Sequence, residues 1–238
     1  MRSSLAVERV EGRHRARIVA GLLRPQLLQA DPSRCRVGLL ATTALLLGGD
    51  AVELDVSVGP GAVLDLFDVA GTVAYHGRGA SARWHVRVEV AEGGALRYAG
   101  EPLVVADGAD VTRSLVVDSA PDARVVLRDT VVLGRTAEVG GRLRSATELR
   151  VGPTTVLLEE QDLDPAGQRC APGLLGRHRV LDTLTRLGPA KPLVTEATTY
   201  ALVGGAGSLT RWLGTSLADS PLHRPWSLLA PERAARNR

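Results

Sequence analysis

The chain has 238 residues, 45% of them hydrophobic and 3% aromatic, and its 29 Lys and Arg residues against 26 Asp and Glu residues leave a formal net charge of +3. The excess charge is spread along the chain without a cationic block interleaved with aromatic residues, which argues against nucleic acid as a partner. One Phe, three Tyr and three Trp are also few for the aromatic platform that a carbohydrate-binding face usually presents.

The N-terminal part of the chain predicts neither export nor membrane insertion. Charges between Glu8 and Glu11 interrupt the region where a signal peptide needs an apolar run of roughly 7–15 residues. The longest apolar stretch, 37–47, is shorter than the ~20 residues of a membrane helix. The two cysteines, Cys35 and Cys170, lack the spacing of a disulfide scaffold or a zinc site. We therefore expect a cytoplasmic protein with reduced thiols.

The first clear element is a strand at 51–58, in which apolar and polar residues alternate strictly. The turn Gly59-Pro60-Gly61-Ala62 ends this strand, and another strand follows at once. The same period of two residues returns at 83–90, 95–98 and 124–133. Because alternation of this kind is typical of half-buried strands, the sequence predicts sheet along most of the chain.

A recurring turn, Gly or Asp followed by Ala, precedes a new strand at Gly61-Ala62, Gly94-Ala95, Gly108-Ala109 and Asp122-Ala123. Gly tolerates a positive φ, Asp bonds its own backbone, and Ala leaves room for neighbouring ribbons to stack. The sequence therefore predicts a mainly β fold, with stacked antiparallel strands in a layered or superhelical body.

Asp129 is an exception within its strand, because it shares the apolar parity of Leu127 and Val131. A buried carboxylate must find a hydrogen-bond partner or suffer a raised pKa. Arginine is the expected partner, since its planar fork of donors satisfies both carboxylate oxygens. A bulge that turns Asp129 outward is the alternative, and the sequence is compatible with both.

No catalytic or metal-binding motif is apparent, whether a Walker A loop, a dinucleotide fingerprint, a zinc-protease helix or a nucleophile elbow. His85 shares the polar parity of Arg87, which predicts a solvated strand face, and His76 stands alone at a strand end. An acid–base group of Asp129, His85 and Arg87 is the enzymatic alternative. Gly204-Gly205-x-Gly207 is compatible with an anion site at a helix start or with an ordinary turn.

The period changes near the C-terminus, where Ser208 is predicted to cap a helix that carries Leu209, Trp212 and Leu213 on one side. The segment 219–238 is rich in proline and arginine, which predicts an irregular tail with Trp226 as a docked anchor. We thus expect a single domain at 1–218, with a short C-terminal helix, followed by this tail.

The order of these motifs resembles the signature of the UreD family of urease accessory proteins, called UreH in some organisms. No single motif is specific, and the ordered series carries the resemblance. Three segments depart from the family pattern: 67–69, 99–102 and 73–75, where the lysine that usually precedes Val-Tyr is absent. The matching residues are Gly49, Asp50, Gly61, Ala62, Tyr75, Gly94, Gly108, Ala109, Asp129, Gly134 and Arg135.

The resemblance implies a body of stacked strands with a small helical part and no enzymatic activity. It implies a chaperone-like scaffold that binds the urease structural subunits and, with UreF and the GTPase UreG, lets nickel reach the urease active site. Nickel would be handled transiently, along a protein-lined passage with dispersed polar groups, and no cofactor would be tightly bound. An all-β ligand-binding or carbohydrate-active module unrelated to urease is the alternative.

The resemblance also raises the question of where UreF docks. The apolar side with Trp212 and the segment around Trp226 are the candidate contacts, since exposed apolar patches are the usual mark of an interface. The alternative is that both tryptophans pack onto the sheet body of the chain itself.

Overall fold

The computed structural model describes residues 2–165, 169–171, 173–188, 196–223 and 226, and within them it is built almost entirely of strands. The predicted mainly β class and the layered, superhelical body are confirmed. The strands are β1 (Arg2–Val10), β2 (Arg13–Val19), β3 (Leu23–Ala30), β4 (Cys35–Ala41), β5 (Ala51–Val58), β6 (Val63–Asp68), β7 (Thr72–Ala74), β8 (Ala82–Val90), β9 (Ala95–Ala99), β10 (Leu103–Val105), β11 (Asp110–Ser119), β12 (Arg124–Leu133), β13 (Arg142–Val151), β14 (Thr154–Leu163), β15 (Val180–Leu187), β16 (Thr198–Ala201) and β17 (Gly207–Gly214).

These strands form two sheets whose inner faces enclose the core. The first sheet has the order β14-β13-β11-β8-β5-β1-β2. The second sheet has the order β16-β17-β15-β12-β9-β6-β4-β3, with β10 beside β12 and β7 beside β10. Each strand buries one parity between the sheets, as in β5, where Val52, Leu54 and Val56 are buried and Glu53 is exposed. Leu, Val and Ala supply most of this core, as the composition predicts.

The chain alternates between the sheets in successive coils. Strands of the first sheet begin at Ala51, Ala82, Asp110 and Arg142, so each coil takes about 30 residues. Neighbouring coils pair in parallel, from β5 to β8, β11 and β13 in one sheet and from β6 to β9 and β12 in the other. The prediction of antiparallel ribbons is therefore wrong for these central strands. It holds at the ends, where β1 pairs with β2 and β13 with β14.

The turns from the first sheet to the second stack on one another through backbone hydrogen bonds. The Ala95 N–H donates to the Ala62 carbonyl at 2.8 Å, and the Arg124 N–H donates to the Gly94 carbonyl at 3.0 Å. Ala62, Ala95 and Ala123 are all buried in this stack. The small alanine after each Gly or Asp is thus explained by the close approach of successive coils, as the turn pattern predicts.

The helix predicted from Ser208 is wrong, because residues 207–214 form β17 between β15 and β16. The residues of β17 that face the interior are Leu209, Arg211 and Leu213, which are two residues apart as in any strand. Leu209, Trp212 and Leu213 would also share one face of a helix, and this second pattern led to the wrong prediction. Pairing with two neighbouring strands outweighs the local helical signal. Within the described residues, 3₁₀ turns lie at Val203–Gly205 and Leu217–Asp219, and His223 and Trp226 are helical as well. No described helix is long and apolar enough to cross a membrane.

The described part of the predicted tail packs on the outer face of the second sheet. Leu222 and Trp226 are buried against Leu184, with Trp212 beside them. The Arg97 guanidinium lies over the Trp226 ring, 4.0 Å from its centroid. Trp226 is therefore a docked anchor, and both tryptophans pack onto the chain's own sheet. A contact of either with a partner stays a prediction, and residues 227–238 lie outside the described residues.

We predict that Gly140→Ala destabilises the fold far more than Gly61→Ala. Both glycines have a positive φ, at 91° and 60°. A Cβ at Gly140 would lie 2.7 Å from the Leu133 carbonyl carbon and closer still to the Gly134 nitrogen, whereas Gly61 has nothing within 4 Å. Urea unfolding should show a loss of about 3 kcal/mol or more for the first variant and about 1 kcal/mol for the second. Equal losses would refute the close packing of these loops.

Candidate functional site

The second sheet is interrupted at the same level in two successive coils. One coil breaks between β6 and β7 at residues 69–71, and the next breaks between β9 and β10 at residues 100–102. The breaks stack, because the Thr72 N–H donates to the Pro102 carbonyl at 3.1 Å. These breaks overlap two of the segments in which the sequence departs from the family pattern, 67–69 and 99–102. The sheet therefore has a gap here, with Asp68 at its rim.

A central cavity of about 90 Å³ lies at this gap, between the two sheets. Asp68, Tyr98 and Glu101 line it from the second sheet, and Trp84 and Arg113 line it from the first. A space of this size is large enough for small polar species, and several polar groups lie on its wall. The cavity is therefore a partly polar pocket in an otherwise aliphatic interior.

Asp129 lies in the wall of the central cavity and is paired with Arg113 of the facing sheet. Arg113 Nη1 donates to Asp129 Oδ1 at 2.8 Å, Nη2 donates to Oδ2, and Nε donates to the Ser145 hydroxyl at 3.0 Å. The register of β12 is unbroken through Asp129, so no bulge turns it outward. The inward alternative and its arginine partner are both observed. Arg113 is likewise a charged residue on the inner parity of its strand, which it shares with Val111 and Val117.

A second cavity lies beyond this ion pair, toward β14 and β17, and we name it the distal cavity. It is about 40 Å³ in volume and shares Arg113, Asp129 and Ser145 with the central cavity as lining residues. Glu159 of β14 and Arg211 of β17 form a second bidentate pair on its wall, with N to O distances of 2.6 and 2.8 Å. The Arg211 hydrogen bonds lower the pKa of Glu159, so this carboxylate stays ionised.

A third cavity of about 210 Å³, the edge cavity, lies on the other side of the central one, toward β3 and β4. It shares Asp68, Thr72 and Trp84 with the central cavity. The three cavities thus follow one another across the strands of both sheets, and we call this series the passage. Its described charged residues are the carboxylates Asp68, Glu101, Asp129 and Glu159 and the guanidiniums Arg113, Arg128 and Arg211.

Asp68 is the one of these carboxylates that burial affects most. Its carboxyl accepts hydrogen bonds from the Glu101 N–H at 3.1 Å and from the Tyr98 hydroxyl at 3.3 Å. Desolvation against the cavity wall raises its pKa from 3.8 to about 7, and the charges of Glu101 and Asp129 add to that rise. Asp68 therefore exchanges a proton near neutral pH, whereas Glu159 does not.

The passage offers polar contacts without a chelating cluster. Among the residues that the structure describes, no three His, Cys, Asp or Glu side chains converge as metal ligands. A closed metal site needs three or four such ligands, so a cation here would meet carboxylates and hydroxyls one or two at a time. The arrangement suits transient contact with a hydrated cation and does not suit permanent binding.

The residues that carry the family resemblance lie mostly in turns and outside the passage. Gly61, Ala62 and Gly94 belong to the stacked turns from the first sheet to the second. Gly49, Asp50, Tyr75, Gly108, Ala109, Gly134 and Arg135 belong to the return loops on the opposite side. Examples of their contacts are Asp50 Oδ2, which accepts the Leu47 N–H at 2.9 Å, and Arg135, which pairs with Glu138. Asp129 alone among the matching residues lines a cavity.

The structure separates the residues of the enzymatic alternative. His85 and Arg87 lie on the outer face of the first sheet, where His85 Nδ1 is hydrogen-bonded to the Ser114 hydroxyl at 2.5 Å. Asp129 faces inward from the other sheet, so an acid–base group of these three is wrong. The anion hypothesis for Gly204-Gly205-x-Gly207 loses its basis as well, because this turn leads into a strand.

Sequence reasoning missed six charged residues of the passage: Asp68, Glu101, Arg113, Arg128, Glu159 and Arg211. Arg113 has a detectable signal, an arginine on the apolar parity of its strand, which is the argument already applied to Asp129. Arg211 was missed because residues from Ser208 onward were predicted to form a helix, so the strand parity of Arg211 was not considered. Asp68 and Glu159 have no local signal, because each stands near a strand end or in a strand with exposed residues on both parities.

We predict that Asp68→Asn makes stability less sensitive to pH. Between pH 3.8 and about 7 the folded chain keeps a proton on Asp68 that the unfolded chain has lost, so the wild type loses stability as pH rises through this window. The free energy of unfolding of the Asn variant should exceed that of wild type by about 2 kcal/mol at about pH 8 and should equal it at about pH 4. Urea unfolding across this range measures the difference, with the exposed Asp122→Asn as control. A constant offset at all pH values would contradict the assignment.

Comparison with known proteins supports the family resemblance that the sequence motifs indicate. A family model described as UreD urease accessory protein matches residues 5–228. The chain is 44% identical to urease accessory protein UreD 1 of Streptomyces griseus subsp. griseus, over 89% of this chain and 84% of that relative. It is 36% identical to urease accessory protein UreD of Streptomyces avermitilis, over 82% of this chain and 79% of that relative. The chain therefore belongs to the UreD family of urease accessory proteins.

Proposed function

We propose that this chain takes part in urease maturation as a non-catalytic scaffold in the cytoplasm. In this proposal it binds the urease structural subunits together with UreF and UreG, and nickel crosses it on the way to the urease active site. The observation that carries the proposal is the passage, in which carboxylates follow one another between the sheets from Asp68 through Asp129 to Glu159.

Dispersed carboxylates are the right chemistry for cargo that must leave again. Oxygen ligands hold a divalent cation without the near-irreversible affinity of clustered thiolates and imidazoles. Asp129 is open on its cavity side, with 46% of its side chain exposed, although both its oxygens also accept from Arg113. A cation in the passage would thus exchange between single carboxylates and water, and release would not require unfolding a chelate.

The rest of the fold supports a scaffold. Backbone ladders join the coils in both sheets on either side of the gap, so the interior is not built to close around a substrate as a hinged active site does. The outer face of the first sheet carries a network of ion pairs, in which Arg87 and Arg150 both contact Asp118 at 3.3 and 3.1 Å. Charged outer faces of this kind keep a sheet soluble and leave specific contacts to other surfaces.

We predict that neutralising the passage lowers urease activation. In a host that carries the whole urease operon and limiting nickel, Asp129→Asn and Glu159→Gln should each reduce urease specific activity about tenfold, since each removes a cation contact. The matched control is Asp118→Asn, which removes an arginine-paired carboxylate from the outer face of the first sheet. Urease activity per urease polypeptide and nickel content per active site are the measurements.

Deletion of the gene should leave urease protein present, inactive and poor in nickel. Unchanged urease activity after deletion would refute the role in maturation altogether. A loss of activity in the control equal to that in the two passage variants, at equal amounts of chain, would refute the passage as the route while leaving the maturation role intact.

A further inference from the structure

Arg113 lies in the wall that the central and distal cavities share, together with Asp129 and Ser145. Its side chain is 17% exposed, and all three of its guanidinium nitrogens donate, to the two oxygens of Asp129 and to the Ser145 hydroxyl. Asp129 is open on its cavity side, but both of its oxygens already accept from the guanidinium. A cation that binds Asp129 between the two cavities would therefore have to share or displace that guanidinium.

Arg211 repeats this arrangement at the far wall of the distal cavity. Its two terminal nitrogens donate to the two oxygens of Glu159, and Nε donates to the Thr183 hydroxyl at 3.2 Å. Thr183 stands between Asp129 and Arg211 in one cross-strand row of the second sheet. The two ion pairs thus lie next to each other, each with one hydroxyl that fixes the arginine's Nε.

Asp68 differs from these two carboxylates. In the described part of the chain its partners are a backbone N–H and a phenol, and it forms no ion pair. A cation that enters from the gap can approach Asp68 without displacing a charge. At Asp129 and Glu159 it would meet a guanidinium already seated on the carboxylate, and like charges at contact distance repel strongly in a partly dry interior.

We propose that Arg113 and Arg211 determine when a cation enters the distal part of the passage. With each guanidinium on its carboxylate the passage is closed beyond the central cavity, and it opens when Arg113 rotates off Asp129. This proposal rests on the proposed function, because it takes a divalent cation as the cargo. The hydrogen bonds that Arg113 donates to Ser145 and Arg211 donates to Thr183 help to hold the arginines in the closed position.

The test is nickel binding by the purified, untagged full chain, measured by equilibrium dialysis against Ni²⁺ alone. Arg113→Gln keeps a polar side chain but shortens it by two bonds and removes its charge, so Asp129 becomes available, and binding should rise at least about tenfold above wild type. The double variant Arg113→Gln with Asp129→Asn should return to the wild-type isotherm. The control Arg87→Gln, which frees carboxylates on the outer face, should bind as wild type does.

A wild-type isotherm for Arg113→Gln overturns the proposal, as does a gain in binding that persists in the double variant. Circular dichroism establishes whether each variant is folded. If the Gln variant is not folded, Arg113→Lys decides, because lysine keeps the charge but cannot engage both oxygens and Ser145 at once. It should bind nickel about two- to threefold more tightly than wild type, and no gain would overturn the proposal.

The same variants in the urease operon separate this proposal from the proposed function. Arg113→Gln should activate urease at lower nickel concentrations than wild type does. Dialysis uses the chain without its partners, so its outcome stands whether or not deletion of the gene abolishes urease activation. Suppose that deletion of the gene abolishes urease activation but Arg113→Gln binds nickel as wild type does. The role in maturation would then stand, and the proposed control of the passage by Arg113 would be refuted.

Discussion

The structure depends on one constraint: two sheets enclose a narrow aliphatic interior, and any polar side chain that points into it must find its partner there. The coils satisfy this with Leu, Val and Ala along most of their inner faces, and their backbone groups are satisfied by the ladders between coils. Four of the charged inner residues form two facing pairs, with Arg113 of one sheet opposite Asp129 of the other and Glu159 opposite Arg211. Asp68 instead accepts hydrogen bonds from the Glu101 N–H and the Tyr98 hydroxyl. Removing one member of such a pair leaves an uncompensated charge, so the polar layer is stable only as a set. Pairing of the charges of Arg113 with Asp129 and of Arg211 with Glu159 thus allows polar residues to line the passage while the rest of the interior stays closely packed.

The sequence allowed the strands to be located closely, because alternation reports directly which side chains are buried. The predicted strands at 51–58 and 124–133 coincide with β5 and β12. Alternation is the same in parallel and antiparallel sheets, however, and the short turn at Gly59–Ala62 resembles a hairpin although its second strand joins the other sheet. The pairing direction could therefore not be derived from it. The spacing of about 30 residues between strands of the first sheet is the signal that indicates coils, and it becomes visible only over the whole chain.

The candidate site was predictable only where it breaks a pattern. Asp129 stands out against the apolar residues on its own parity, and the choice of arginine as its partner follows from the geometry of the carboxylate. Arg113 breaks its strand's pattern in the same way. Asp68 lies at the rim of the stacked interruptions of the second sheet, and Glu101 lies within them. The interruptions stack because two coils pair in register, and nothing local in the sequence reports that register. The family motifs lie in turns because they set the path of the coil, so they identify the fold more directly than they identify the passage.

The distribution of partners along the passage orders its carboxylates by how easily a cation reaches them. Asp68 stands at the gap in the second sheet and is partly protonated near neutral pH, since burial raises its pKa to about 7. Asp129 comes next and is paired with Arg113, and Glu159 follows, paired with Arg211. A proton leaves Asp68 without any movement of the protein, whereas a guanidinium leaves Asp129 only when a side chain with three donated hydrogen bonds rotates. Entry at the gap and transfer beyond it are therefore controlled by different groups, and only the second step requires a change of conformation.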